Sequence, residues 1–286
     1  MISAVPLKGR RQPYIQTMRK AAIALFSCLL SVSQLVLPIA AFSEPEWLSE
    51  SDFQSTFKGY SAAFVLFDTT TGKLFRFNPE HCAERLPPCS TFKIFNSLVG
   101  LDTGVIRNEA HPMRWDGTRY DISDWNRDQT LQSAVTNSVV WYFQRLASGV
   151  GMARMQRYID RAGYGNRDLS GGLTKFWLSS TLKISAEEQV AILRRLLNDE
   201  LPFSKRSMAI VRGLIRLDQT DKGILYGKTG SGRSAEGKPA LGWFVGYVVR
   251  PDGVRVFATN IQSGDGAWGP RARDLTREIL TRMGLL

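Results

Sequence analysis

The sequence predicts an α+β fold in which the N- and C-terminal segments form one antiparallel sheet, flanked by helices and interrupted by an inserted all-helical subdomain. Strand-like runs occur at both ends of the chain: "AAFVLFDTTTGKLFRFN" near its start, and "GILYGKTG", "ALGWFVGYVV" and "VRVFATNI" near its end. From about Ser90 to Leu217 the apolar residues instead recur at helical spacing. A functional cleft is expected where the sheet and the helical block meet.

The first half of the predicted sheet follows a short helix, predicted from Glu44 to about Phe57. Two apolar runs around Thr-Thr-Gly then predict a β-hairpin. Pro87 and Pro88 end this part, and the apolar spacing in "STFKIFNSLVGLDTG" predicts a helix that begins at or near Ser90.

The later elements also carry local signals. Ser185 and Glu188 form a capping box ahead of the amphipathic run "QVAILRRLLN". The Pro-Asp-Gly sequence at 251–253 predicts a tight turn between the last two strands. The segment "PRARDLTREILTRMGLL" predicts a final helix that packs against the sheet.

The first 43 residues differ from the rest of the chain. Five basic residues precede the apolar run "AAIALFSCLLSVSQLVLPIAAFS", and no acidic residue occurs before Glu44. This order is typical of a secretory signal peptide, with Met18 as an alternative start. We therefore predict cleavage after about Ser43, export across the inner membrane to the periplasm, and a mature domain at 44–286. An uncleaved membrane anchor is the alternative, because the apolar run approaches the roughly 20 residues that span a bilayer.

The formal net charge is +11, and loss of five basic residues with the signal peptide would leave +6. The remaining Lys and Arg residues are scattered, so the charge does not predict a nucleic-acid partner, nor a stable membrane partner after signal cleavage. Of three cysteines, Cys82 and Cys89 remain in the predicted mature chain. In an oxidising compartment they form either one disulfide or two independent thiols, and their spacing is compatible with both.

Histidine and glycine patterns exclude several kinds of chemistry. His81 and His111 are the only histidines, so neither a Ser-His-Asp triad nor a multi-histidine metal site is predicted. The "GVG" at 149–151 lacks the third glycine of a dinucleotide-binding loop.

Ser90 is the candidate nucleophile and Lys93 the candidate base, because residues i and i+3 share a helix face. A free lysine has a pKa near 10.4, but burial lowers it, and a neutral amine can accept a proton or add carbon dioxide as a carbamate. A capping serine and a surface lysine would give the same spacing.

Lys228, Thr229, Gly230 and Ser231 end a predicted strand. A lysine and a hydroxyl can hold a carboxylate, while glycine lets a ligand approach the backbone closely. The backbone N–H groups of Ser90 and Ser231 would form an oxyanion hole for acyl transfer.

Four motifs in this order, "STFK" at 90–93, "SVV" at 138–140, "YGN" at 164–166 and "KTG" at 228–230, resemble those of the class D β-lactamases, the serine oxacillinase family. The resemblance covers essentially all of the mature chain and implies the serine β-lactamase and penicillin-binding fold. It implies hydrolysis of β-lactams through a Ser90 acyl-enzyme, with carbamylated Lys93 as the base in both steps. It implies no metal and no cofactor other than carbon dioxide.

The resemblance assigns further residues. Ser138 relays a proton to the leaving nitrogen; we prefer it to Ser133, which a continuous helix would turn about 140° away. Val140 lines the lysine pocket, and the indole of Trp177 donates to the carbamate. Arg271 binds the substrate carboxylate, with Arg273 as the alternative.

Two other functions share this domain. One is a β-lactam sensor that becomes stably acylated, and the other is a penicillin-binding transpeptidase. Sensors of this kind carry several membrane spans, and transpeptidases usually have a Ser-x-Asn motif; neither is evident in the sequence.

Overall fold

The computed structural model describes residues 48–286, so the predicted signal peptide lies outside the described residues and stays a prediction. The α-helices are α1 (Glu50–Thr56), α2 (Pro79–Ala83), α3 (Lys93–Asp102), α4 (Leu131–Thr136), α5 (Val140–Val150), α6 (Met152–Ala162), α7 (Ala186–Leu197), α8 (Lys205–Leu214) and α9 (Gly269–Arg282). The strands are β1 (Ser61–Asp68), β2 (Leu74–Phe77), β3 (Pro112–Met113), β4 (Gln129–Thr130), β5 (Arg216–Gln219), β6 (Ile224–Arg233), β7 (Pro239–Arg250) and β8 (Gly253–Gln262).

Six strands form one antiparallel sheet in the order β2-β1-β8-β7-β6-β5. The predicted N-terminal hairpin is present, and β1 pairs with β8 along its whole length, from Ser61 opposite Gln262 to Asp68 opposite Arg255. The two ends of the chain therefore build a single sheet, which confirms the predicted fold class. At the Pro-Asp-Gly turn Arg250 pairs with Gly253, as expected for a tight hairpin.

Each face of the sheet covers a separate apolar core, because successive strand residues point to opposite sides. On β8, Val256 and Ala258 face the core shared with the helical block, whereas Phe257 and Ile261 face α1 and α9. The result is three layers, with the sheet between the terminal helices and the inserted helices.

The helical subdomain contains α3 to α8, as the periodicity predicts, and the capping box that starts α7 is present. The Ser185 hydroxyl accepts from the Glu188 N–H over 3.1 Å, and the Glu188 carboxylate accepts from the Ser185 N–H over 2.9 Å. Residues 163–184 are neither helix nor regular strand. This irregular segment runs beside the site and carries Trp177 at its centre.

The two cysteines in the described region are free and buried. The Cys82 thiol contacts the carbonyl of Phe77 at 3.0 Å, whereas the Cys89 sulphur lies 4.0 Å from the hydroxyl of Ser179. Of the two alternatives, the disulfide is therefore wrong and the independent thiols are confirmed. Burial raises the pKa of Cys89 to about 11.

Between residues 48 and 286, none of the helices combines the length and apolar character needed to cross a bilayer.

Candidate active site

Ser90 lies in a 3₁₀ turn, Cys89–Phe92, that follows the two prolines and leads into α3. Helical backbone thus begins one residue before Ser90, close to the predicted position, but its first turn is tighter than an α-helix. In a 3₁₀ turn the side chains at i and i+3 eclipse each other. The Lys93 Nζ accordingly donates to the Ser90 Oγ over 2.6 Å.

Hydrogen bonds to the carbonyl groups of the two preceding prolines hold this turn in place. The carbonyl of Pro88 accepts from the N–H and the hydroxyl of Thr91, and the Trp243 indole donates to the carbonyl of Pro87 over 2.9 Å. Cys89 has a φ of +50°, in the left-handed region that non-glycine residues rarely occupy. The nucleophile is therefore held by its surroundings rather than by local propensity alone.

Lys93 is fully buried, and its amino group lies 5.6 Å from the centre of the Phe143 ring. Burial, and secondarily the charge of Lys228, lower its pKa well below the ordinary value. The structure thus favours a neutral amine beside the Ser90 hydroxyl, which is the state that a base requires.

Ser138 lies between α4 and α5, with a φ of +55°. Its hydroxyl oxygen accepts from Lys93 over 3.1 Å and from Lys228 over 3.0 Å. Ser133 instead helps to cap α4, where its hydroxyl bonds Gln129 over 2.7 Å. The structure therefore brings Ser138, not Ser133, to the candidate nucleophile. Our premise of a continuous helix between them was wrong, because α4 ends at Thr136.

Lys228 reaches Ser138 from β6, and its side chain is also buried. Burial lowers the pKa of Lys228 to about 7. Gly230 lets this strand approach the nucleophile, since a Cβ there would lie 2.9 Å from the carbonyl oxygen of Pro88. The strand and the 3₁₀ turn therefore pack together at the floor of the site.

Within residues 48–286, no strand pairs with the last part of β6 on the side away from β7, and this side is called the free edge. β5 pairs only with residues 224–226, and the Gly227 N–H, which follows, bonds the Ile215 carbonyl. On the same edge the Thr229 carbonyl accepts from Lys228, and the Arg233 N–H points to the Ser179 hydroxyl at 3.4 Å. Because backbone groups alternate along a strand, the N–H and carbonyl of Ser231 also face this edge. An N–H in this orientation suits an oxyanion hole.

A cleft of about 650 Å³ opens above these groups. It is lined by Ser90, Ile122, Trp125, Asn137, Ser138, Val140, Leu178, Ser179, Thr229, Ser231, Gly232, Arg233, Pro239, Trp268 and Pro270. Its volume is typical of small-molecule sites, and its walls are largely apolar.

Trp177 is fully buried and stacks on Phe92, the residue before Lys93, with ring centroids 5.7 Å apart. Its indole N–H has no acceptor within the described residues. A buried donor without a partner is costly, so this N–H marks a position that suits an anionic or polar group.

The structure does not bring either candidate carboxylate-binding arginine to the cleft. The Arg271 guanidinium lies 5.9 Å from the centre of the Tyr60 ring, and Arg273 pairs with Asp274. Arg233 does line the cleft, although the sequence reasoning passed over it. The sequence could have pointed to Arg233, because it lies in the same strand, two residues after Ser231.

The chain matches the family model "Penicillin binding protein transpeptidase domain" over residues 62–281. It is 39% identical over 239 residues to the probable beta-lactamase YbxI of Bacillus subtilis, covering 84% of this chain and 87% of that protein. It is 37% identical over 237 residues to the regulatory protein BlaR1 of Bacillus licheniformis, covering 82% of this chain but 39% of BlaR1.

Among solved structures, a class D beta-lactamase from Bacillus subtilis superposes with a TM-score of 0.78 at 38% identity, covering 84% of this chain and 99% of that one. The sequence similarity, the superposition and the expected fold agree. The chain belongs to the class D β-lactamases, which are serine hydrolases.

Proposed function

We propose that this protein hydrolyses the β-lactam ring of penicillin-type antibiotics through an acyl-enzyme on Ser90, with Lys93 as the base in both halves of the reaction. The observation that carries the proposal is the 2.6 Å contact between the Lys93 Nζ and the Ser90 Oγ at a fully buried lysine. A buried base next to a hydroxyl is the arrangement that activates a serine without histidine.

In the first half, the Ser90 oxygen attacks the lactam carbonyl carbon while its proton passes to Lys93. The developing oxyanion is stabilised by the N–H groups of Ser90 and Ser231. The carbonyl–nitrogen bond then breaks, and the Ser138 hydroxyl gives its proton to the ring nitrogen. Lys93, which also contacts this hydroxyl, returns to it the proton taken from Ser90 and is neutral again, while Lys228 donates to the same oxygen and holds it in place.

In the second half, Lys93 takes a proton from a water molecule that attacks the ester carbonyl, and the proton then returns to Ser90. The ester is cleaved, the serine is regenerated, and the product carries a new carboxylate. The same base therefore serves both steps, as microscopic reversibility allows.

We also propose that Lys93 carries carbon dioxide as a carbamate in the active form. Three features support this proposal: the lowered pKa of Lys93, its complete burial, and the indole N–H of Trp177 without an acceptor. Carbamylation converts the neutral Lys93 amine into an anionic carbamate, which can act as a base. The indole N–H of Trp177 would donate to an oxygen of this carbamate. Val140, at the wall of the cleft, would help to exclude water.

For the carboxylate that penicillins carry beside the ring nitrogen, we propose Lys228 and Thr229 as the main partners. Lys228 donates to the Ser138 hydroxyl, beside which the ring nitrogen must lie to receive its proton, and Thr229 follows it in β6 and lines the cleft. The position of Arg271 over Tyr60 does not support the carboxylate-binding role that the resemblance implies for that residue.

We further propose that residues 1–43 direct export to the periplasm, and that the mature enzyme confers β-lactam resistance there. Expression in a susceptible Gram-negative host should raise the inhibitory concentration of a penicillin. N-terminal sequencing of the exported protein would locate the cleavage site. A matched Ser90→Ala protein should be exported equally but give no protection.

The similarity to BlaR1 favours one second candidate, a sensor that is acylated and does not turn over. Incubation with a chromogenic lactam distinguishes the two functions. A hydrolase accumulates product over many turnovers, whereas release that stops at one equivalent per protein would overturn the hydrolase proposal. Ser90→Ala should abolish both outcomes.

A further inference from the structure

We propose that Arg233 makes the enzyme prefer penicillins whose acyl side chain carries a negative charge. This inference rests on the proposed function, because it uses the direction in which the lactam must lie.

The chemistry of the ring fixes that direction. In a penicillin the ring nitrogen and the acylamino-bearing carbon lie on opposite sides of the lactam carbonyl carbon. Ser138, the proposed proton donor to the nitrogen, is held by Lys93 and Lys228 on one side of Ser90. The acylamino side chain must therefore point the other way, along β6 and past Ser231.

The backbone of β6 can guide the side chain in this direction. The N–H and carbonyl of Ser231 face the free edge of the strand, where an amide can pair with them as a neighbouring strand would. Two residues further along, roughly 7 Å away, lies Arg233. A register shift against β7 falls between Gly232 and Arg233, and Arg233 still lines the cleft.

Arg233 is the only charged residue among those that line the described cleft. Its backbone N–H points to the Ser179 hydroxyl at 3.4 Å, and its Nη1 donates to the Gly237 carbonyl over 2.5 Å. The side chain is thus held by its own turn, and a guanidinium has further donors for a carboxylate or sulfonate. Holding a charged group in place before binding reduces the entropy lost on binding.

The experiment compares three penicillins that differ only at the carbon next to the side-chain carbonyl, which bears hydrogen, a carboxylate or an ammonium group. For each, kcat/KM and the acylation rate constant are measured with the mature protein, Arg233→Gln, Arg233→Lys and Lys238→Gln. Lys238 is the matched control, since it is an exposed cation of the same turn that does not line the cleft.

Arg233→Gln should lower the carboxylate-to-hydrogen ratio of kcat/KM by about 2- to 5-fold, as expected for a partly solvated ion pair, and should raise the ammonium-to-hydrogen ratio. Arg233→Lys should keep most of the preference, and salt near 0.5 M should weaken it in the wild type. Lys238→Gln should leave the ratios unchanged.

An unchanged ratio in Arg233→Gln, or an equal loss in Lys238→Gln, would overturn the inference. The acylation rates keep this test separate from the proposed function. If every penicillin acylates Ser90 but none is turned over, the hydrolase proposal fails, and the ratio of acylation rates still decides the role of Arg233.

Discussion

The amino groups of Lys93 and Lys228 donate to the same oxygen, the hydroxyl of Ser138, over 3.1 and 3.0 Å. Both lysines are buried, with exposed fractions of 0% and 6%. Burial lowers the pKa of both amines, and at Lys93 the charge of Lys228 lowers it further. This shared hydroxyl couples the candidate base to the proposed carboxylate-binding lysine.

The lowered pKa of Lys228 predicts a pH-dependent stability. Its pKa is about 7 in the folded protein, against about 10.4 when unfolded. Between these values the unfolded chain binds a proton that the folded chain does not, so the free energy of unfolding rises with pH, by up to about 1.4 kcal/mol per pH unit. Below pH 7 Lys228 is protonated in both states, so its contribution to the free energy of unfolding no longer changes with pH.

Denaturant unfolding in carbon dioxide-free buffer between pH 6 and 10 measures this effect. Lys228→Met should lower the slope by up to about 1.4 kcal/mol per pH unit and leave the part that the lowered pKa of Lys93 contributes. Substitution of the exposed Lys222 by Met should leave the slope as in the wild type. Equal slopes in wild type and Lys228→Met would show that Lys228 keeps its ordinary pKa in the fold.

Substitution of Ser138 should affect catalytic activity, whereas substitution of Ser133 should affect the free energy of unfolding. Ser138→Ala should lower kcat/KM by about 10²- to 10⁴-fold, because the proton relay to the leaving nitrogen is lost. Ser133→Ala should keep activity but cost about 1 kcal/mol of unfolding free energy, because that side chain helps to cap α4. Steady-state kinetics and denaturant unfolding of both variants test the pair, and a reversed pattern would contradict our choice of Ser138.

Replacement of Lys93 should block turnover more than acylation. Lys93→Ala retains Ser90 and the oxyanion N–H groups, so slow acylation is expected, but the base for water is gone. Mass spectrometry should then detect a long-lived adduct of one equivalent, and kcat should fall by at least about 10³-fold. Lys58→Ala, at an exposed surface position, serves as the control. Near-normal hydrolysis by Lys93→Ala would remove this lysine from the mechanism.

The sequence predicted most of the sheet because its main strands are continuous apolar runs, buried on both faces, and its turns use Thr-Thr-Gly and Pro-Asp-Gly. The Ser90–Lys93 pair was also visible, since a spacing of three residues is local. The position of Arg271 was not predictable in the same way, because a shift of one residue turns a helical side chain by about 100°. The break between α4 and α5 was missed for a related reason: Ser138 adopts a left-handed conformation that no glycine signals.

If Lys93 is carbamylated, bicarbonate should raise the activity of dilute enzyme, because the modification is reversible. The expected result is a saturable increase in kcat as bicarbonate is added to enzyme prepared in degassed buffer. Labelled bicarbonate should give a new carbonyl ¹³C resonance that is absent from Lys93→Ala. Constant activity together with no such resonance would rule out the modification.

Trp177 provides a sharper test of the same proposal. Its indole N–H is buried without an acceptor, whereas that of Trp115 already donates to the Thr118 carbonyl over 2.8 Å. Trp177→Phe keeps an aromatic ring against Phe92 but removes the donor, so the concentration of bicarbonate needed for half-maximal activity should rise by roughly 10-fold, the worth of one hydrogen bond to a charged group. Trp115→Phe should leave that concentration unchanged. If both variants respond to bicarbonate like the wild type, the indole donor does not hold the carbamate, and the burial of Lys93 alone must account for its stability.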